Sequence, residues 1–285
     1  MKIVRTVAEL QDLSARARAQ GKTVGLVPTM GALHHGHLTL IEQSKKQNDI
    51  TVVSIFVNPT QFNNQADLAT YPRTEQADVE KLEDKGVDYA FIPSVEEVYP
   101  QADNRVFDLG LVATVMEGAM RPGHFNGVAQ IVSKLFDWVN PHRAYFGEKD
   151  FQQIAVIKRL VELGNYALTI VECQIDREDD GLARSSRNVR LTPTQRRIAP
   201  AIYNTLRESL EWKKQGLSPE QISRRVELTL NSLPEMKVEY YTISNSTSLT
   251  PITNWDDTLP GQYPVGCIAV YCGDVRLIDN IKYID

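Results

Sequence analysis

The chain has 285 residues, slightly beyond the size at which one hydrophobic core commonly divides, so two domains are expected. Hydrophobic residues make up 42% and charged residues 24%, a globular balance that excludes a disordered or fibrous chain. A net charge of -5, from 31 basic and 36 acidic residues mixed along the sequence, leaves no basic face for nucleic acid and points to small-molecule partners.

From Met1 to Leu13 charged and apolar residues alternate, with no apolar core of signal-peptide length, and no stretch approaches a membrane span. A cytoplasmic protein without membrane contact is expected. Cys173, Cys267 and Cys272 are odd in number and widely spaced in apolar surroundings, so they read as small hydrophobes rather than a disulfide framework or metal knuckle.

Apolar runs at 23–27, 50–57, 87–92, 144–146 and 168–171 read as strands. Between them, 38–47, 74–85, 128–139 and 154–163 carry apolar residues at helical spacing. The alternation predicts an α/β fold, a Rossmann-like parallel sheet covered by helices, over residues 1–175. After Ile175 the pattern changes to a Gly-Ser-Arg loop, one long helix over 194–214, a second over 219–232, and strands at 238–243 and 267–271. These predict a smaller C-terminal α+β domain, 176–285, acting as a lid. Ligands of parallel sheets sit beyond the carboxyl ends of the strands, so the loops after Val27, Val57 and Phe146 should converge on one crevice.

The first of these loops is Pro28-Thr29-Met30-Gly31-Ala32-Leu33-His34-His35-Gly36-His37, followed by a helix. A helix start carries unpaired N–H groups and a positive dipole end, so a glycine-bearing strand–loop–helix junction suits phosphate. His34 and His37, three apart, share a face of the first turn and can meet one phosphate chain, while Gly36 removes an obstructing side chain. His35 lies off that face and is expected in solvent. No third ligand completes a zinc site nearby, so no protein-held metal is expected.

After the second strand come Asn58-Pro59-Thr60-Gln61-Phe62-Asn63 and then Tyr71-Pro72-Arg73. Pro59 ends the strand, and the Gln61 amide offers a donor and an acceptor suited to a hydroxy acid, although alone it reads as a polar turn residue. In Arg121-Pro122-Gly123-His124-Phe125, the arginine and histidine suit either an anion or routine turn and capping chemistry. In Gly147-Glu148-Lys149-Asp150-Phe151-Gln152-Gln153, the lysine supplies a compact charge for phosphate and a neighbouring carboxylate can accept from ribose hydroxyls. Gly181-Leu182-Ala183-Arg184-Ser185-Ser186-Arg187-Asn188 reads as a linker or as a lid closing over a triphosphate.

His-x-Gly-His after a first strand resembles the signature of the nucleotidylyltransferase and class I aminoacyl-tRNA synthetase superfamily, whose histidines stabilise the pentavalent transition state at the α-phosphate. The full string from Pro28 to His37 is similar to the pantothenate synthetase family, the pantoate and β-alanine ligases. The other loops, with Arg276-Leu277-Ile278-Asp279-Asn280, extend the resemblance over essentially the whole chain.

The resemblance implies ATP contacts at Met30, Gly31, Ala32, Leu33, His34, His35, Gly36, His37, Gly147, Glu148, Lys149, Asp150, Asp176, Arg184, Ser185, Ser186 and Arg187. It implies pantoate contacts at Asn58, Gln61 and Gln153, with β-alanine also at Gln61. His34, His37, Lys149 and Arg187 become the catalytic candidates, magnesium bridges the phosphates, and a homodimer forms through the nucleotide-binding domain. The 181–188 loop resembles the counterpart of the synthetase Lys-Met-Ser-Lys-Ser loop. Three positions depart from the family: Arg184 where Met or Leu is usual, Asp176 where a small apolar residue is usual near adenine, and Asn63 where glycine is common.

In the implied reaction the pantoate carboxylate attacks the α-phosphorus of ATP, giving pantoyl adenylate and pyrophosphate. The β-alanine amine then attacks the acyl carbon and releases pantothenate and AMP. No protein nucleophile is required, in keeping with a sequence that sets no Ser-His or Cys-His arrangement near these loops. Two competing readings are a nucleotidylyltransferase that leaves AMP on a phosphorylated acceptor, and an ATP-binding module without turnover. The first leaves the glutamines and the Ser-Ser-Arg-Asn loop unexplained, and the second has no need of so many transition-state groups.

Overall fold

The computed structural model describes residues 1–63 and 65–284. By internal packing the chain forms two compact units, Met1–Glu148 with Val156–Gln174, and Lys149–Ala155 with Ile175–Asp285.

The first unit is built on six parallel strands: β1 (Lys2–Val4), β2 (Val24–Thr29), β3 (Ile50–Ile55), β4 (Tyr89–Phe91), β5 (Arg143–Gly147) and β6 (Thr169–Cys173). Their order is β1-β4-β3-β2-β5-β6. β2 and β3 are rich in Val and Ile and buried at nearly every position, the pattern of strands covered on both faces. Val27, Val53, Ala90 and Tyr145 share one core with Leu40 and Ile41 of the helix His35–Gln47 and with Val79 and Leu82 of the helix Glu75–Asp84. The long helix His124–Val139 is buried along most of its length and packs with Val7–Ala19.

The direction of strand addition reverses at β2. β3 and β4 lie to one side of it, β5 and β6 to the other. The carboxyl ends of β2 and β5 therefore flank the switch point at which sheets of this kind open a ligand crevice.

The second unit has an antiparallel sheet, β7 (Met236–Asn245), β8 (Pro264–Cys272) and β9 (Val275–Lys282), in that order. Its core joins Ile202, Leu206 and Trp212 of the helix Ala201–Lys214 and Ile222, Val226 and Leu230 of the helix Pro219–Asn231 to Tyr241, Ile268, Val270 and Leu277 of the strands. Ser218 caps Pro219–Asn231 in a capping box with Gln221, behind a proline at the first helical position, where its missing N–H costs nothing.

The single helix expected over 194–214 is in fact two, Pro193–Ile198 and Ala201–Lys214. Pro200 has no N–H and its ring clashes with the carbonyl four residues back, so it starts the second helix instead of continuing the first. β1, Val7–Ala19 and β9 add to the elements expected. β1 has only three residues, and β9 interrupts its apolar alternation with a buried Asp-Asn pair.

Candidate active site

β2 ends at Thr29, and the chain turns sharply before the helix at His35. Gly31 has φ +80° and Ala32 φ +50°, so two successive residues are left-handed, a conformation glycine takes freely and alanine only under strain. The turn is held from the side by Asp78, which is fully buried. Its carboxylate accepts the N–H groups of Ala32 at 2.9 Å and Leu33 at 2.7 Å and the Thr74 hydroxyl at 3.1 Å, while Lys81 Nζ donates to the Leu33 carbonyl at 2.6 Å. Two main-chain donors of the loop are thus engaged within the protein, and its outward chemistry passes to the histidines and the first helical turn. Sequence reasoning missed Asp78. The available signal was an aspartate on the apolar face of a helix, beside Val79 and Leu82, where a carboxylate requires partners.

His34 is the N-cap of the helix His35–Gln47 and His37 its third residue. Their ring centroids lie 4.1 Å apart with the planes tilted by 38°. The His34 N–H donates to His37 Nδ1 at 3.3 Å. With Nδ1 accepting, a neutral His37 carries its proton on Nε2, where it can donate. His35 is exposed.

After β3, Asn58 is buried behind the short turn Pro59–Gln61. Its amide nitrogen donates to the Gly127 carbonyl at 3.0 Å and to Gln61 Oε1 at 3.2 Å, and its oxygen accepts from the Tyr99 hydroxyl at 2.7 Å and from Thr60 at 3.2 Å. Burial pushes the Tyr99 pKa up, which keeps that hydroxyl a donor. Gln61 Nε2 lies 3.2 Å from Met30 Sδ, so the Gln61 side chain borders the first loop.

The Gln61 carbonyl accepts from His124 Nδ1 at 2.8 Å, and His124 Nε2 faces the Arg121 guanidinium at 3.2 Å. Arginine can only donate, so the His124 proton sits on Nδ1. Asn63 donates to the Pro122 carbonyl. Arg121 and His124 therefore brace the backbone of the Gln61 turn. Gly127 permits the close approach: a Cβ there would lie 2.3 Å from the Thr60 carbonyl oxygen.

In the second unit, Lys149 lies in the short turn Glu148–Asp150, with its ammonium 3.0 Å from Asp150 and its side chain mostly buried. Gln153 is half-buried on the helix Phe151–Leu163. The 181–188 loop springs from an antiparallel bridge between Arg177 and Ala183. Arg184 Nε lies 3.0 Å from Asp176, its Nη1 2.8 Å from Glu178, and its N–H donates to the Asp176 carbonyl at 3.0 Å. The residues at 176 and 184 that depart from the family pattern are thus each other's partners. Beyond them Ser185 Oγ accepts from the Arg187 N–H at 3.2 Å, and Asn188 Nδ2 donates to the Ala183 carbonyl at 3.0 Å.

Burial pushes the Cys173 thiol up to about 12 and raises that of Cys272, so both stay protonated. Among the described residues no group of three or more His, Cys, Asp or Glu is arranged to hold a metal ion, and no helix is long and apolar enough to cross a membrane.

A parallel α/β sheet whose central strand delivers two close-packed imidazoles to the switch point defines a nucleotide-binding protein of the His-x-Gly-His type. The family described as Pantoate-beta-alanine ligase matches residues 2–282. Pantothenate synthetase of Porphyromonas gingivalis is 58% identical over 285 residues, covering 100% of both chains. The crystal structure of pantothenate synthetase from Thermus thermophilus superposes with a TM-score of 0.92 at 42% identity, again over 100% of both chains. That of pantoate-beta-alanine ligase from Francisella tularensis, complexed with beta-gamma ATP and beta-alanine, gives 0.81 at 35% identity over 99% of this chain and 98% of that one. The chain belongs to the pantoate–β-alanine ligase family.

Proposed function

We infer that the protein condenses (R)-pantoate with β-alanine in an ATP-driven reaction through a pantoyl adenylate, releasing AMP and pyrophosphate. The observation that carries this reading is the His34–His37 pair at the switch point of a chain related to these ligases from end to end.

In the first half-reaction the pantoate carboxylate attacks the α-phosphorus in line and pyrophosphate leaves. The His37 Nε2–H and the His34 ring donate to the α-phosphate oxygens, where charge accumulates. Lys149, Ser185, Ser186 and Arg187 neutralise the triphosphate and the departing pyrophosphate. The main chain of Met30–His37 and Gly147–Asp150 borders the nucleotide, and Asp176 and Arg184, occupied by each other, approach it chiefly through their backbone. Gln61 and Gln153 recognise pantoate, with Asn58 behind Gln61, and β-alanine enters beside Gln61. In the second half-reaction the amine attacks the acyl carbon and AMP departs, so no thiolate or alkoxide of the protein is required. Magnesium would arrive with ATP as part of the substrate and would offset the charge of its phosphates.

The same reading includes a cytoplasmic location, where ATP is available, and a homodimer formed through the nucleotide-binding unit. Sedimentation showing only 32.1 kDa material at micromolar concentration would remove the dimer. The test of the reaction is pyrophosphate–ATP isotope exchange with pantoate present and β-alanine absent. Exchange that requires pantoate is the expected outcome. It should fall about 10²- to 10³-fold in His37→Ala or Lys149→Ala, the usual effect of losing one transition-state donor. ATP binding without exchange would mean a different acid substrate or no turnover.

A further inference from the structure

The sequence Arg276-Leu277-Ile278-Asp279-Asn280 on β9 has no role in the chemistry above. Side chains of a strand alternate between faces. Val275, Leu277 and Ile281 go to the helix-covered core of the second unit, which puts Asp279 on that apolar face and Asn280 on the opposite one.

A carboxylate on an apolar face demands a partner. Arg177 spans Asp279 with two nitrogens, at 2.6 and 2.8 Å, lies 3.6 Å over the Tyr203 ring, and also donates to the Gly181 carbonyl at 3.1 Å. Arg177 is itself one side of the bridge at the root of the 181–188 loop. On the other face Asn280 Nδ2 donates to the main-chain carbonyl of Lys149 at 3.2 Å. The two residues are coupled, because the Asn280 N–H donates to Asp279 Oδ1 at 2.7 Å, and both are almost fully buried.

We propose that Asp279 and Asn280 are positioning residues for adenylate formation. Asn280 fixes the main chain that carries Lys149, and Asp279, through Arg177, fixes the root of the loop that carries Ser185, Ser186 and Arg187. One rigid strand thereby sets the relation between two sources of positive charge within the same unit. The proposal rests on the reading that Lys149 and Arg187 meet the triphosphate.

The test is a pair of double-mutant cycles read by pantoate-dependent pyrophosphate–ATP exchange. Asn280→Ala should slow exchange by roughly tenfold to a hundredfold, the cost of a catalytic group misplaced by a fraction of an ångström to an ångström, with the KM for pantoate unchanged. Introduced into Lys149→Ala it should add less than about twofold, because it acts through the lysine. Asp279→Asn, which keeps the side-chain shape, should lose less in Arg187→Ala than in the wild type, because part of its effect runs through that arginine. Aminolysis of separately supplied pantoyl adenylate by β-alanine should stay within about threefold of wild type in Asn280→Ala. Asn280→Asp removes the donor at constant volume and serves if the alanine variant does not fold. Losses that multiply in the double variants, or exchange and aminolysis that fall together with melting temperature, would make β9 a purely structural strand and overturn the proposal. Wild-type exchange in Lys149→Ala would overturn it differently, by removing Lys149 from the ATP contacts.

Discussion

Replacing Asp78 by asparagine exchanges one carboxylate oxygen for an amide that donates. Both oxygens are in use: Oδ2 takes the Ala32 N–H at 2.9 Å and the Thr74 hydroxyl at 3.1 Å, and Oδ1 takes the Leu33 N–H at 2.7 Å. The amide can keep one backbone donor and must set its own NH2 against the other. A hydrogen bond to a charged group contributes about 1.5–3 kcal/mol, and a buried donor left unpaired costs about 1–3 kcal/mol. Asp78→Asn should therefore destabilise the protein by about 2–4 kcal/mol, and Asp78→Ala, which orphans both amides, by about 3–6 kcal/mol. Full burial of the site keeps water from making good the loss. The released segment is the one in which Gly31 and Ala32 are left-handed, so the platform under His34 and His37 relaxes, and adenylate formation should slow about 10²-fold. Urea denaturation followed by circular dichroism measures the first effect and pyrophosphate–ATP exchange the second. Stability within about 0.5 kcal/mol of wild type, with unchanged exchange, would refute the assignment of Asp78 as the brace of the loop.

Gly127→Ala places a methyl group 2.3 Å from the Thr60 carbonyl oxygen and 2.7 Å from the Gln61 nitrogen, so the turn Pro59–Gln61 must move. The KM for pantoate should rise about tenfold or more while the KM for ATP changes little, and an unchanged pantoate KM would show that the turn does not position this substrate. Elsewhere, a hydrogen bond from Arg105, opposed by burial, holds the Asp103 carboxyl down at about 2. Because the folded value lies below the unfolded value of about 3.9, the pair stabilises by about 2 kcal/mol at neutral pH, and this is lost as the pH falls from about 4 toward 2. Asp103→Asn should therefore destabilise at pH 7 and progressively less between pH 5 and pH 3. An equal effect across that range, in chemical denaturation at each pH, would mean the pair does not contribute.

The parts of the fold legible in the sequence are those written at short range. The apolar runs of β2, β3 and β5 report burial on both faces by their continuity, and the spacing of 38–47 and 74–85 reports it through a period of 3.6; neither needs knowledge of partners. The His-x-Gly-His loop is equally local, since three residues of helix bring its two imidazoles together. What locality hides is short or mixed in pattern: the three residues of β1, the break at Pro200 inside an otherwise periodic stretch, and the polar pair that interrupts β9.

Tertiary structure alone decided who holds whom. Asp78 lies 46 positions from Ala32, His124 63 from Gln61, and Asn280 131 from Lys149, yet each pair is joined by a hydrogen bond. The unusual residues Asp176 and Arg184 look like separate anomalies in the sequence and are one ion pair in space. The physical reason is the same in each case. Local periodicity is a property of one segment, whereas satisfying a buried charge or amide depends on which distant segment the fold brings within about 3 Å of it.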